Sequence, residues 1–251
     1  GNAAKAFVHQ HRGDPYYLYL DTNRVYLNKL LGTTTLGHDA VTPLGRLIAE
    51  YMVWAVRADS PFKSAREILD RLKADPGSVV FGLSSLPSND QINVVAPAIA
   101  AGVDAKKMRM VAFNAAGGVN TQLLGGHVPV IFAVPQSSLG NIQAGQLRML
   151  AMTSTQRVPL LTDVPTVGES IPGFEAVLRY GLLVPAGTPR PIVMRLNRDV
   201  ALHLQSADLR SRLTGDGADP VGSSPEDFAR LIRGDIERYA PIVKAAGIQI
   251  D

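Results

Sequence analysis

The stretch Val128-Pro129-Val130-Ile131-Phe132-Ala133-Val134-Pro135-Gln136-Ser137-Ser138 decides the fold class. Its apolar part does not alternate, and the small polar part that follows leads into a helix stopped by Gly145. An unbroken apolar run of strand length suits a strand covered on both faces. The same unit recurs along the chain. Val79-Val80-Phe81 leads into Ser84-Ser85-Leu86-Pro87-Ser88-Asn89 and a helix to about Ala101, with Gly102 as its stop. Met108 to Phe113 leads into Asn114-Ala115-Ala116-Gly117-Gly118 and a short helix ending at Gly125-Gly126. Tyr51 to Val56, Leu147 to Met152 and Val177 to Val184 are further apolar strands. Strands alternating with helices predict an α/β architecture built on parallel sheet.

Helix boundaries follow from side chains that satisfy the free N–H groups of a first turn. Ser64-Ala65-Arg66-Glu67 reads as a capping box opening a helix through Leu72, and Asp75-Pro76-Gly77 ends it. Ser224 caps the last helix, Pro225 takes its first position, and Phe228, Leu231, Ile232, Ile236, Tyr239 and Val243 mark its buried face. Asp163 and Glu169 bracket Val164-Pro165-Thr166 as caps of a further helix. Pro97 and Pro241 are expected to bend the helices that contain them.

Composition narrows the function. The 251 residues hold no Cys, 25 Lys+Arg against 22 Asp+Glu, and a net charge of +3. That balance gives no polyanion-sized field, so no nucleic-acid partner is expected. Zero Cys excludes a disulfide framework, thiol catalysis and Cys-ligated metals. The longest apolar run is far short of the ~20 residues of a spanning helix. The first residues, Gly1-Asn2-Ala3-Ala4-Lys5, lack a secretory signal's apolar core, so the expectation is that any such signal was removed before this sequence begins.

Three strand-to-helix segments share one chemistry. Ser84 to Asn89, Asn114 to Gly118 and Pro135 to Ser138 are short and uncharged, and place Ser or Asn side chains with free backbone N–H groups at helix starts. In an open α/β sheet such segments line the crevice beyond the carboxyl ends of the strands. Helix N-termini there favour an anion. The plainer reading, that these residues are ordinary caps and turns, stays open for any one segment. Catalytic and cofactor motifs are absent: there is no Gly-x-Ser-x-Gly elbow, Walker loop, Gly-x-Gly-x-x-Gly or His-Glu-x-x-His. His9 and His11 read as a solvated pair, and Asp216 and Asp219 as a turn. Trp54 and Tyr51 read as core.

The second half carries a family resemblance. Leu123-Leu124-Gly125-Gly126-His127-Val128, Gln143-Ala144-Gly145-Gln146-Leu147-Arg148-Met149-Leu150-Ala151, Asp163-Val164-Pro165-Thr166-Val167-Gly168-Glu169 and Tyr180-Gly181-Leu182-Leu183-Val184-Pro185-Ala186-Gly187-Thr188-Pro189 occur in this order. Together they resemble the substrate-binding proteins of tripartite tricarboxylate transporters, the TctC or Bug family. Ala58-Asp59-Ser60-Pro61-Phe62-Lys63-Ser64 and Ala74-Asp75-Pro76-Gly77-Ser78-Val79 are similar to the family's crossover and first helix.

The resemblance implies a periplasmic, non-enzymatic solute-binding protein of the type II periplasmic binding protein fold. Two α/β lobes are joined by two crossover strands, with residues 1–52 and 177–251 in lobe 1 and 53–176 in lobe 2. It implies a small organic carboxylate as ligand, a two-subunit membrane permease as partner, a monomeric state, and no cofactor or metal. Carried onto this chain, the ligand-binding residues are Ser84, Ser85, Ser88, Asn89 and Gln91 in one loop and Asn114, Ala115, Ala116 and Gly117 in the next. Ala133 and Pro135 shape a far wall, and Thr22 and Asn23 come from lobe 1. Gln91 stands where the family has His, and Phe113-Asn114-Ala115-Ala116 replaces Tyr-Lys-Gly-Gly, which points to an unusual ligand. Phe113, Phe132 and Val134 would admit an aromatic or branched acid if their side chains face the cleft, and would equally fit the core. Tyr16 to Leu20 reads as a later first-lobe strand, so the front of lobe 1 is expected to be missing from a partial sequence. A carboxylate sensor feeding a two-component regulator, or an enzyme on the same scaffold, are the alternatives.

Overall fold

The computed structural model describes residues 1–113, 116–158, 161–172, 174–215 and 217–248. The chain divides into two compact units, one of Gly1–Glu50, Leu178–Val243 and Ile248–Asp251, the other of Tyr51–Val177 and Lys244–Gly247.

The first unit opens with α1 (Asn2–Gln10), β1 (Tyr19–Asp21), α2 (Arg24–Leu30) and β2 (Val41–Tyr51). Buried Lys5 anchors α1: its ammonium donates to the carbonyls of Val25 at 3.0 Å and Leu36 at 2.7 Å. Only Tyr19–Asp21 of the aromatic run forms a strand, while Tyr16, Leu18 and Leu20 are exposed.

The second unit follows as β3 (Val53–Arg57), α3 (Ala65–Ala74), β4 (Val80–Leu83), α4 (Asn89–Ala100), β5 (Arg109–Ala112), α5 (Ala116–Leu124), β6 (Val130–Ala133), α6 (Leu139–Gln143), β7 (Leu147–Met152) and α7 (Val167–Ser170). Its sheet order is β5-β4-β6-β3-β7. Strands β5, β4 and β6 are parallel, but β3 runs antiparallel to both β6 and β7. The sheet is therefore mixed, which corrects the all-parallel expectation. Antiparallel central strands can be as apolar as parallel ones once helices cover both faces, so composition does not report direction. Strand β5 is also largely exposed, because it lies at the sheet edge.

Local signals explain the helix starts. Ser64 caps α3 through Glu67 N–H, although the Glu67 carboxylate turns back one residue further, onto Lys63 N–H at 2.8 Å. Gly102, at φ +85°, ends the turn after α4 in a conformation that side chains oppose. Thr166, rather than Asp163, caps α7, in a closed capping box with Glu169. The hydroxyl of Thr sits within reach of the third helical N–H, whereas Asp163 lies outside the cap position.

The chain returns to the first unit with β8 (Val177–Pro185), α8 (Arg190–Leu204), α9 (Ala207–Gly215), β9 (Asp219–Pro220) and α10 (Pro225–Ala246). The sheet order here is β1-β8-β2-β9, with β1 antiparallel to β8 and β9 antiparallel to β2. Alternation along β8 buries every second side chain over most of its length. Asp216 lies outside the described residues. No helix among the described residues is long and apolar enough to cross a membrane. The architecture is mixed α/β with two sheets.

Candidate functional site

In the second unit, sheet register gathers the strand ends into one row. Val53 of β3 stands between Ala133, the last residue of β6, and Met152, the last of β7. On the other side β4 ends at Leu83, whose carbonyl accepts Phe113 N–H at 2.9 Å. Ser84, Ala133, Thr153 and Ser154 thus follow or end adjacent strands at the same edge.

Each loop is held by its own polar contacts. Ser84 donates its hydroxyl hydrogen to Asp90 Oδ2 at 2.7 Å, across a loop that contains a cis Leu86–Pro87 bond. Ser88, buried, is the N-cap of α4 and accepts Gln91 N–H at 3.2 Å. The turn Pro135–Ser138 is fastened by Asn120 of α5, which donates to the Ser137 carbonyl at 2.7 Å and accepts from the Ser138 hydroxyl at 2.9 Å. Thr153 bridges backwards to Met52 through both its amide and its hydroxyl, each at 2.9 Å.

Beside these satisfied groups lies a set that is buried and unpaired. Among the described residues, the whole Asn89 amide, the whole Asn93 amide, Gln91 Oε1, Ser154 Oγ and Trp54 Nε1 find no hydrogen-bond partner. Buried polar groups are paired in the large majority of cases, and three of these residues, Asn89, Gln91 and Asn93, belong to the first turns of α4. Trp54 is core, as expected, with its ring edge-on to Phe81 at 5.3 Å between centroids. The first turn of α4 contributes further N–H groups that lack intrahelical acceptors. Asp90 is the sole charged side chain among the described residues of the segments 84–91, 116–120, 133–138 and 153–156.

Ser84, Ser85, Ser88, Asn89 and Gln91 occupy the β4–α4 loop and the first turn of α4, with Ser85 half-buried. Ala133 ends β6, and Pro135 opens the turn after it. Ala116 and Gly117 begin α5, while Asn114 and Ala115 lie outside the described residues. Thr22 and Asn23 belong to the first unit. There Asn23 is buried and its Oδ1 accepts the N–H of Arg179 at 2.7 Å, and Thr22 Oγ1 faces Arg24 N–H at 3.4 Å. Asn93, Asn120, Thr153 and Ser154 were not singled out in the sequence. An Asn inside the apolar run Ile92-Asn93-Val94-Val95, and a Thr-Ser pair closing an apolar strand, were the available signals.

The family model described as the tripartite tricarboxylate transporter family receptor, TctC, matches residues 4–248. The UPF0065 protein in the tcbD-tcbE intergenic region of Pseudomonas sp. strain P51 is 30% identical over 193 residues, covering 76% of this chain and 56% of that protein. Protein BugT of Bordetella pertussis is 29% identical over 184 residues, covering 73% of this chain and 56% of BugT. The chain thus spans little more than half the length of these two curated relatives. Among solved structures, R. palustris Rpa4515 with adipate is similar at 27% identity and a TM-score of 0.84, over 98% of this chain and 83% of that one. The family is one of receptors and solute-binding proteins, not of enzymes. With a match running from residue 4 to residue 248 and a two-sheet α/β architecture shared with Rpa4515, the chain belongs to the tripartite tricarboxylate transporter receptor family, the TctC or Bug proteins.

Proposed function

We propose that this chain is a periplasmic solute-binding protein that captures a small organic carboxylate and delivers it, as a monomer, to the two-subunit permease of a tripartite tricarboxylate-type transporter. The observation that carries this reading is the set of buried, unpaired polar groups around the start of α4, headed by Asn89. A preformed array of neutral donors beside a helix N-terminus holds an anion without a cationic side chain, through N–H dipoles and amide hydrogens. That relative with adipate, at 27% identity, supports a carboxylate as the solute class. The residues this reading assigns to the solute are Ser84, Ser85, Ser88, Asn89, Gln91, Asn114, Ala115, Ala116, Gly117, Ala133 and Pro135 of the second unit, and Thr22 and Asn23 of the first.

The test is a thermal-shift screen of mono-, di-, tri- and aromatic carboxylates followed by calorimetric titration. A solute at about 100 times its dissociation constant adds about 2.7 kcal/mol to stability, a clear rise in unfolding midpoint. Lack of any shift across all four classes would overturn the reading.

A further inference from the structure

The chain leaves the first unit after Glu50 and returns to it at Leu178. On both crossovers the second residue inside the second unit, Met52 on the way in and Ala176 on the way out, is bonded to Thr153, the buried residue that follows β7. Met52 N–H donates to Thr153 Oγ1 at 2.9 Å, and the Met52 carbonyl accepts Thr153 N–H at 2.9 Å. Ala176 N–H donates to the Thr153 carbonyl at 3.0 Å. Met52 and Ala176 are buried too, so their amides depend on the protein for these bonds. The Thr153 carbonyl is turned to Ala176, and the acceptor for Met52 N–H is the side-chain hydroxyl. One residue serves both crossovers because it carries that hydroxyl.

The first unit ties the same two segments on its own side. The Tyr180 hydroxyl donates to Glu50 Oε2 at 3.0 Å, and Arg179 N–H donates to Asn23 Oδ1 at 2.7 Å. Between the two sets of ties stand Tyr51 on one crossover and Val177 and Leu178 on the other. A third passage runs inside α10, between Val243 and Lys244, just after Pro241. Proline has no N–H to give the Glu237 carbonyl, so this turn is the easiest part of the helix to bend. We infer that Thr153 is a positioning residue that couples the two crossovers into one joint, so that the units shift relative to each other only through Tyr51, through Val177 and Leu178, and through the turn of α10 at Pro241. The inference rests for its purpose on the solute-binding reading given above: a joint restricted in this way leaves less freedom to be lost when residues of both units take hold of a solute.

The chain holds no Cys, so two introduced thiols carry spin labels without competition. Lys73→Cys on α3 and Arg195→Cys on α8, both exposed positions, put one label on each unit. Double electron–electron resonance on the doubly labelled chain, with no solute added, reads the spread of distances between the labels. The expected result is a distribution at least about twice as wide in Thr153→Val, which removes the hydroxyl at nearly constant shape, and the original width in Thr153→Ser, which keeps it. An unchanged width in Thr153→Val, or a Thr153→Ser chain as wide as Thr153→Val, in samples whose thermal unfolding shows the fold kept, would overturn the coupling. If Thr153→Val does not fold, amide exchange on the unaltered chain decides. Met52 and Ala176 N–H should open together, with protection equal within about tenfold, and a larger difference would overturn the assignment. No solute enters either measurement, so a failure here leaves the solute-binding reading to be judged by the carboxylate screen alone.

Discussion

The Ser84 hydroxyl donates to Asp90 Oδ2 at 2.7 Å and so ties the end of β4 to the second residue of α4. The bond commits the serine's hydrogen to Asp90, and it places a carboxylate at the positive end of a helix, where it is favoured. Asp90→Ala should therefore lower stability by about 0.3–1 kcal/mol and, under the proposed function, tighten binding of a dicarboxylate found in the screen by about two- to fivefold at low salt. The gain should fade as ionic strength rises and the Debye length shrinks. Calorimetry at two salt concentrations reads it, and weaker dicarboxylate binding by the variant at low salt would contradict the electrostatic account.

In the first unit, Arg179 of β8 and Asp235 of α10 form an ion pair at 2.9 Å with side chains only 7% and 6% exposed. Tyr26 donates its phenol hydrogen to the same carboxylate, and burial, reinforced by the Asp235 charge, pushes the Tyr26 phenol well above its ordinary range. Removing one partner strands the other charge in the interior. Asp235→Ala should cost about 3–5 kcal/mol in urea unfolding, while Arg179→Met combined with Asp235→Leu should cost less than the single change.

Gly181 in β8 has no room for a side chain. A Cβ there would stand 2.2 Å from Cζ of Phe228 and 2.3 Å from its Cε1, since the ring of α10 lies directly on the strand. Gly181→Ala should destabilise by about 1–3 kcal/mol. Adding Phe228→Leu should return part of the loss, and an additive double variant would show that the contact is not the cause.

Glu169 closes the α7 capping box and pairs with Arg157 at 2.8 and 2.9 Å. The Arg157 guanidinium, followed by the Thr166 N–H, holds its carboxyl down at about 2, against an ordinary 4.5. A depressed carboxylate stabilises the fold fully above its unfolded value and loses that contribution as pH falls from 4.5 through about 2. Carboxyl carbon chemical shifts should give a Glu169 midpoint near 2, and Arg157→Gln should move it up toward 4.5.

Lys5 behaves with the opposite sign. Burial lowers its ammonium below the ordinary 10.5, so in the alkaline window beneath 10.5 the unfolded chain binds more protons than the folded one. Stability should rise with pH across that window, and the rise attributable to this residue should vanish in Lys5→Met. A slope unchanged in that variant would assign the effect elsewhere.

Much of the fold was legible because its signals act within a few residues. Ser64, Ser88 and Ser224 sit three residues before the N–H groups they accept, and Gly102 follows Ala101, the C-cap of α4, so spacing alone locates these ends. The loops bearing Ser84, Ser88 and Pro135 were legible for the same reason: each comes after an apolar run. Asn93 was not, since a polar residue in an apolar helix has meaning only once burial and the absence of a partner are known. The amide oxygen of Asn23 accepts the backbone N–H of Arg179, 156 residues away, a partner that no local spacing reveals.

The sequence by itself determined the order of strands and helices, the caps, the charge balance and the family motifs, because periodicity and capping are local. Tertiary structure alone decided that β3 runs against β6 and β7, that β5 is an exposed edge, and which buried polar atoms are left unpaired. Those outcomes depend on partners that meet across the chain, as Val53 does with Ala133 and Met152, and an apolar strand carries no mark of the direction of the neighbour it will bond.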